Sequence, residues 1–437
     1  MDEGDLAALL RPHALRHSVP GAAIGVLREG VATTACYGVA DVATGEPVIT
    51  GTRFSAGSLT KSMVATVIAG FAEAGRLSVD DRVAVHVPEL RASGWAGRAT
   101  IRDLLSNRSG LALRAGLEFG FDDRRDRDDG ALSRLVADAA AGGPAGGSWS
   151  YTNVGWCVAG RVIETVAGGG WEDAMRRHLF DPAGMSGTAF ATGGAPERGT
   201  SGATELRAMG HEITDDGPVP VAPLTARAYG PAGTTAVTTV TDLLRFAALH
   251  LQDPSLACLR AVHAGVSIYG WLDSWCLGWA WFDWAGGQVW GWDGLVSGER
   301  SVLRIVPGQQ TAVVLMTNSG TGRAMYRSLF AELMPALCGI GVPPLRLDPV
   351  AGAAGDLSRF TGVYAWPDRQ ADVTATADGL LISSEDGQAE ALPLDERSFL
   401  TNPTDPDSPA VTFGAFDAAG RPWVFYDMLW GLPRLSG

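Results

Sequence analysis

Along residues 5–17 the apolar positions recur at helical spacing, with Leu6, Leu9, Leu10 and Leu15 on one side, and predict an amphipathic helix. Two mostly apolar runs follow, 22–27 and 31–39, around Arg28-Glu29-Gly30; they read as two strands joined by a turn. From Phe54 through Phe71 the chain is apolar on nearly every side, as in a buried helix that carries Ser58 and Lys61 in its first turn and ends near Gly75. Between about residues 80 and 225 the pattern is mainly helical, with Thr100 a candidate N-cap for a helix beginning at Ile101. Residues 121–129 form a dense mixed-charge run that reads as a solvated loop, with a lid as the alternative. A Gly/Pro/Ala loop at 142–147 leads into Trp149-Ser150-Tyr151-Thr152-Asn153, and helical periodicity resumes through Val166.

Residues 238–250 predict a further helix, after the loop Tyr229-Gly-Pro-Ala-Gly233. The stretch 271–292 holds seven of the fourteen tryptophans, largely in alternation, the period of sheet strands. Two more strands, 301–305 and 311–316, flank Pro307-Gly308, and a helix near 323–337 follows. Gly341-Val-Pro-Pro344 is the best linker. Beyond it, short strand-like runs at 363–366, 373–375, 380–382, 411–413 and 423–426 predict a small antiparallel β-barrel or sandwich. The expected domains are 1–340, with a helical subdomain at about 80–225, a linker at 341–349, and a β domain at 350–437.

Composition adds limits. The 437 residues are 46% hydrophobic and 19% charged, with no apolar run long enough to span a bilayer. The net charge of −14 disfavours nucleic acid and anionic membranes as partners. The acidic start Met1-Asp-Glu-Gly-Asp5 lacks the plan of a secretory signal, which makes a cytoplasmic location the expectation. The five scattered cysteines read as free thiols, and the histidines and cysteines show no metal-ligand spacing, so no metal or other cofactor is expected.

Lys61 is the only lysine in the sequence. Arginine cannot accept a proton near neutral pH, whereas a lysine can once burial lowers its pKa. Ser58 lies three residues earlier, one helical turn away, and Ser-x-x-Lys is an arrangement in which lysine activates a serine nucleophile. Tyr151 and Asn153 form a second candidate element. A tyrosine serves as a general base only when a cation stabilises its phenolate, a role open to Lys61. Asn153 can then hydrogen-bond the lysine and the substrate.

Five blocks now carry a resemblance: Phe-Ser-Ala-Gly-Ser-Leu-Thr-Lys (54–61), Ile-Arg-Asp-Leu-Leu-Ser-Asn-Arg-Ser-Gly-Leu (101–111), Tyr-Thr-Asn (151–153), Asp-Pro-Ala-Gly-Met-Ser-Gly-Thr (181–188), and Gly-Pro-Ala-Gly-Thr (230–234) with Thr-Asp-Leu-Leu-Arg-Phe (241–246) after it. Over roughly residues 5–338 the chain resembles the penicillin-binding-protein and class C β-lactamase superfamily. The resemblance implies an α/β (α+β) β-lactamase/transpeptidase-like domain with an inserted helical subdomain. It also implies Ser58 as the acylated nucleophile, Lys61 and Tyr151 as the acid/base pair, and Asn153 as a substrate contact. The family's third element, Lys-Thr-Gly or His-x-Gly, is matched here by Trp292-Asp293-Gly294, followed by Leu295. Gly294 permits close backbone approach, and the Leu295 and Ser58 N–H groups can form an oxyanion hole. Trp292 replaces the positive group used to bind a free carboxylate, which turns the expectation away from β-lactamase and D-Ala-D-Ala carboxypeptidase activity. The C-terminal module resembles the lipocalin-like domain of penicillin-binding-protein-type thioesterases, which cyclise peptides, and a transacylase of capuramycin-type pathways is another relative in plan.

The function expected from these residues is a serine acyltransferase that takes an acyl group from a small-molecule or peptidyl ester or thioester and passes it to an amine in secondary-metabolite biosynthesis. A carboxylesterase using the same residues with water is the alternative. A non-catalytic binding protein would not need Ser58, Lys61 and Tyr151 together.

Overall fold

Residues Gly21–Arg28 are buried almost without a break, the pattern of a strand covered on both faces, and they form the second strand from one edge of a seven-stranded antiparallel sheet. The structure is a computed structural model that describes residues 1–111, 128–139, 147–191, 206–366, 369–404 and 409–435. Across the sheet the order is Val31–Gly38, Gly21–Arg28, Thr311–Thr317, Glu299–Val306, Gly287–Val296, Ala280–Trp284 and Ser274–Trp275. The first two strands of the chain thus join five that arrive some 230 residues later.

Register decides what each face carries. Gly25 lies opposite Val314, Val314 opposite Leu303, and Leu303 opposite Trp292, so these four positions share one face. A Cβ on Gly25 would stand 2.8 Å from Leu244, so the helix Val240–Gln252 covers that face, beside the helix Leu59–Glu73. Gly291 and Arg304 pair on the opposite face, where Arg304 reaches Tyr326 of the helix Gly322–Cys338. The helix Glu3–Arg16 packs beside Gly322–Cys338. It buries Leu6 and Leu10, but Leu15, expected on its apolar side, is 58% exposed; Ala14 is buried in its place.

The region at 80–225 contains the expected helices, among them Ile101–Leu105, Ala131–Asp138 and Asn153–Ala167. Thr100 caps the first through a reciprocal bond with Asp103. It also contains strands that helical periodicity does not announce. His211–Thr214 pairs with Gly217–Pro220, and Ala189–Phe190 joins Ala236–Thr238 and Phe54–Ser55 in a small sheet. Residues 121–127 of the charged run and 142–146 of the Gly/Pro/Ala loop lie outside the described residues.

The C-terminal part is a ring of eight antiparallel strands from Gly362–Trp366 to Trp430–Pro433, nearly closed by a bridge between Tyr364 and Arg434. Phe360, Phe399, Phe413 and Phe425 centre its core. Three of its strands, Gly387–Pro393, Ser398–Leu400 and Trp430–Pro433, are absent from the strand-like runs of the sequence. The first carries Gly, Glu and Pro rather than β-branched residues, and the other two are very short.

Candidate active site

The strand Phe54–Ser55 delivers the chain to Ala56 and Gly57, and the helix begins at Leu59. Twelve of the fifteen residues of Leu59–Glu73 are buried, so its start is held firmly in the core. Two buried groups clamp the approach: Glu299 accepts both the N–H and the hydroxyl of Ser55, at 2.7 and 2.8 Å, and Ser301 donates to its carbonyl. Gly57 has φ +53, a conformation that side chains resist, and a Cβ there would stand 2.7 Å from the Leu295 nitrogen. A Cβ on Gly294 would lie 2.1 Å from the Ala56 carbonyl oxygen. The two glycines therefore let the Gly287–Val296 strand touch the backbone beside Ser58.

Ser58 occupies the N-cap position, yet its hydroxyl makes no capping bond. It is half-buried and lies 2.9 Å from Lys61 Nζ. Lys61 is fully buried, and its Nζ also donates to the Ala232 carbonyl. Burial pulls its ammonium down to about 7, opposed weakly by the nearby Cys157. Tyr151 sits over the same space, its ring centroid 4.9 Å from Lys61 Nζ. Burial pushes its phenol well above the usual tyrosine range, against the smaller opposing effects of hydrogen bonds with Ser58 and Trp292. The Trp292 indole N–H donates to the Tyr151 hydroxyl at 3.2 Å. Trp275 and Trp292 complete an aromatic wall, their rings 5.9 and 5.5 Å from that of Tyr151.

Ser58, Lys61, Tyr151, Trp292, Gly294 and the Leu295 amide are thus brought together. Asp293 is not, and the bond expected between Asn153 and Lys61 is not made. Asn153 opens the helix Asn153–Ala167 with its side chain exposed, and among the described residues no hydrogen bond joins it to Lys61, whose bonds go to Ser58 and Ala232. Asp293, expected to line the site, points to the far face of the sheet and pairs with buried Arg304 at 2.6 Å. Strand alternation is the reason, since residues 292 and 294 share one face and 293 must take the other. Sequence reasoning did not single out Ala232 or Trp275; the first lies inside the Gly-Pro-Ala-Gly-Thr block and the second inside the tryptophan-rich stretch, so both carried a signal.

A family model described as Beta-lactamase matches residues 6–333. The chain belongs to the beta-lactamase family. It is 33% identical over 367 residues to a protein of Amycolatopsis lactamdurans named penicillin-binding protein 4, covering 80% of this chain and 93% of that one. A crystal structure of SurE is similar across 99% of both chains, at 29% identity and a TM-score of 0.79, so the likeness extends through the C-terminal barrel. The D-amino acid amidase of Ochrobactrum anthropi SV3 shares the fold, at 20% identity and a TM-score of 0.62 over 72% of this chain and 91% of that one. Membership makes this beta-lactamase-family chain an enzyme of the serine hydrolase and acyltransferase superfamily, on a β-lactamase/transpeptidase-like fold. Among the described residues no helix is long and apolar enough to cross a membrane.

Proposed function

We propose that the enzyme is a serine acyltransferase that forms an acyl-enzyme on Ser58 and hands the acyl group to an amine. The observation that carries this reading is the chain of contacts from Lys61 through Ser58 to Tyr151 and Trp292. With its pKa near 7, Lys61 is the group able to take a proton, while the Tyr151 phenol holds one to give. The sequence left open which member of the Lys61–Tyr151 pair is the base; burial of both favours the lysine.

Ser58 Oγ attacks the carbonyl carbon of an ester or thioester as its proton passes to Lys61. The oxyanion is held by the N–H groups of Ser58 and Leu295. As the carbonyl re-forms, the bond to the leaving oxygen or sulfur breaks, and the leaving atom takes the Tyr151 proton, which Lys61 restores. An amine then attacks the acyl-enzyme and loses a proton, and the Ser58 ester bond breaks with Oγ reprotonated. The wall of Trp275 and Trp292 limits water, the competing acceptor. Trp292 occupies the place of the carboxylate-binding cation, which favours esters and amides over penicillin-type substrates. SurE, of which a further structure was solved with D-Leu, is similar over the full chain at 27% identity; this supports a substrate built from amino acids.

Intact-mass spectrometry after exposure to an activated ester tests the reading. One acyl adduct on the wild type and none on Ser58→Ala is the expected result, and an unmodified wild type would overturn it. With a panel of amines present, amide should exceed acid. Acid alone at saturating amine would leave an esterase.

A further inference from the structure

The barrel has its own core, yet Val424, Tyr426 and Leu429 pack into the core of the catalytic domain instead. They belong to the hairpin formed by Pro422–Asp427 and Trp430–Pro433, whose tight turn places Met428 at φ +52. This hairpin lies along residues 149–151. The Leu429 carbonyl accepts the Tyr151 N–H at 3.0 Å, and the Gly431 N–H donates to Ser150 Oγ at 3.1 Å. The rings of Trp149 and Tyr426 meet at 6.1 Å. A Cβ on Gly431 would stand 2.3 Å from the Trp149 carbonyl oxygen and 2.9 Å from the Tyr426 ring.

Tyr151 precedes the N-cap Thr152, so its N–H lies outside the helical ladder and needs an acceptor from elsewhere. From the catalytic side the segment is fixed by the Ser150 N–H on the Asn107 carbonyl, at 3.0 Å. The acceptor for residue 151 itself comes from the barrel. A tyrosine hydroxyl stands far from its own Cα, so a backbone tilt of some 10–20° moves it beyond the roughly 0.5 Å within which a reacting group must be held.

We infer that the barrel hairpin is a positioning element of the active site, with Gly431 and Ser150 the positioning residues that set the backbone from which Tyr151 reaches Ser58. The inference rests on the proton-donor role proposed for Tyr151 and asks nothing of the hairpin toward substrate. Because Tyr151 protonates the leaving group, a misplaced phenol harms a poor leaving group more than a good one.

The test uses the full chain and two esters, p-nitrophenyl acetate and phenyl acetate. Gly431→Ala and Ser150→Ala should lower kcat/KM, which reports the acylation step, about tenfold more for phenyl acetate than for p-nitrophenyl acetate. Trp423→Ala, at a 48% exposed barrel position, should leave both rates unchanged. A mere loss of folded protein would lower both rates equally. Ser150→Ala adds no atom, so it decides the matter if Gly431→Ala does not fold. Equal losses on the two esters, or none, in a protein whose wild type is acylated at Ser58 would overturn the positioning role alone. Failure of the wild type to acylate would overturn it together with the proposed function.

Discussion

Lys61 shows how one residue can be tuned by its surroundings alone. Its ammonium has left water entirely, and the groups around it are a hydroxyl, a carbonyl, a phenol and the Cys157 thiol, whose opposing effect is the smaller one. Loss of solvation therefore controls its pKa, pulled from 10.5 to about 7. Acylation needs the neutral amine, so kcat/KM for an activated ester should rise with unit slope below pH 7 and level off above it. A profile flat from pH 5 to 8 would show that another group is the base. Lys61→Arg keeps a cation but removes the acceptor, and should abolish the adduct. The sign of the stability effect follows from the same shift. Between pH 7 and 10.5 the unfolded chain holds a proton that the folded chain has released, so this residue's share of stability grows as pH rises through that window. The sequence disclosed the residue through its solitude and its spacing from Ser58. It did not disclose the division of roles with Tyr151, because that depends on burial at both side chains.

At the scale of the element, the strand Gly287–Val296 does two jobs on two faces. Trp292 and Gly294 meet Tyr151 and Gly57, and Asp293 behind them meets Arg304, which also donates to the Trp292 carbonyl at 3.3 Å and to Tyr326 at 2.7 Å. Arg304 is 1% exposed, and its guanidinium lies over the Phe282 ring at 4.4 Å. Replacing Arg304 with Met leaves the Asp293 carboxylate unpaired in a nearly closed site and should cost about 3–5 kcal/mol, read as a lower urea midpoint. The double variant Asp293→Leu/Arg304→Met should recover most of that loss. A single-variant cost under about 1 kcal/mol would mean the pair is solvated after all. Alternation was legible here, and strict use of it separates Asp293 from its neighbours. The identity of its partner was not, since Arg304, opposite Gly291, is brought diagonally beside Asp293 only by the register of two strands. The barrel was legible where Val363–Trp366-like runs alternate, and opaque at Gly387–Pro393, which pairs on both sides through its backbone despite a composition that suits turns.

At the scale of the molecule, the Pro-Pro linker suggests two bodies, while the packing of Val424, Tyr426 and Leu429 joins them. Side chains that belong to one domain by sequence and to another by burial leave neither able to unfold alone at low cost. Calorimetry should therefore show one transition whose van't Hoff and calorimetric enthalpies agree; two resolved peaks would show that the hairpin contact is weak. The apolar run at 423–426 announces a strand but not its partner, which the packing of Val424 and Tyr426, the Tyr151–Leu429 main-chain bond and the close approach at Gly431 decide together.

The solitary lysine has a last consequence. An acyl-enzyme resolved by amines is a hazard to any protein that displays them, its own copies included. This chain carries its surface positive charge as arginine, whose guanidinium remains protonated and does not compete as a nucleophile. Its one side-chain amine is sealed in the core against the hydroxyl of Ser58, the site proposed to carry the acyl group. Under the proposed transfer to amines, this composition would make the enzyme a poor substrate for itself and leave the acyl group to amines that arrive from outside.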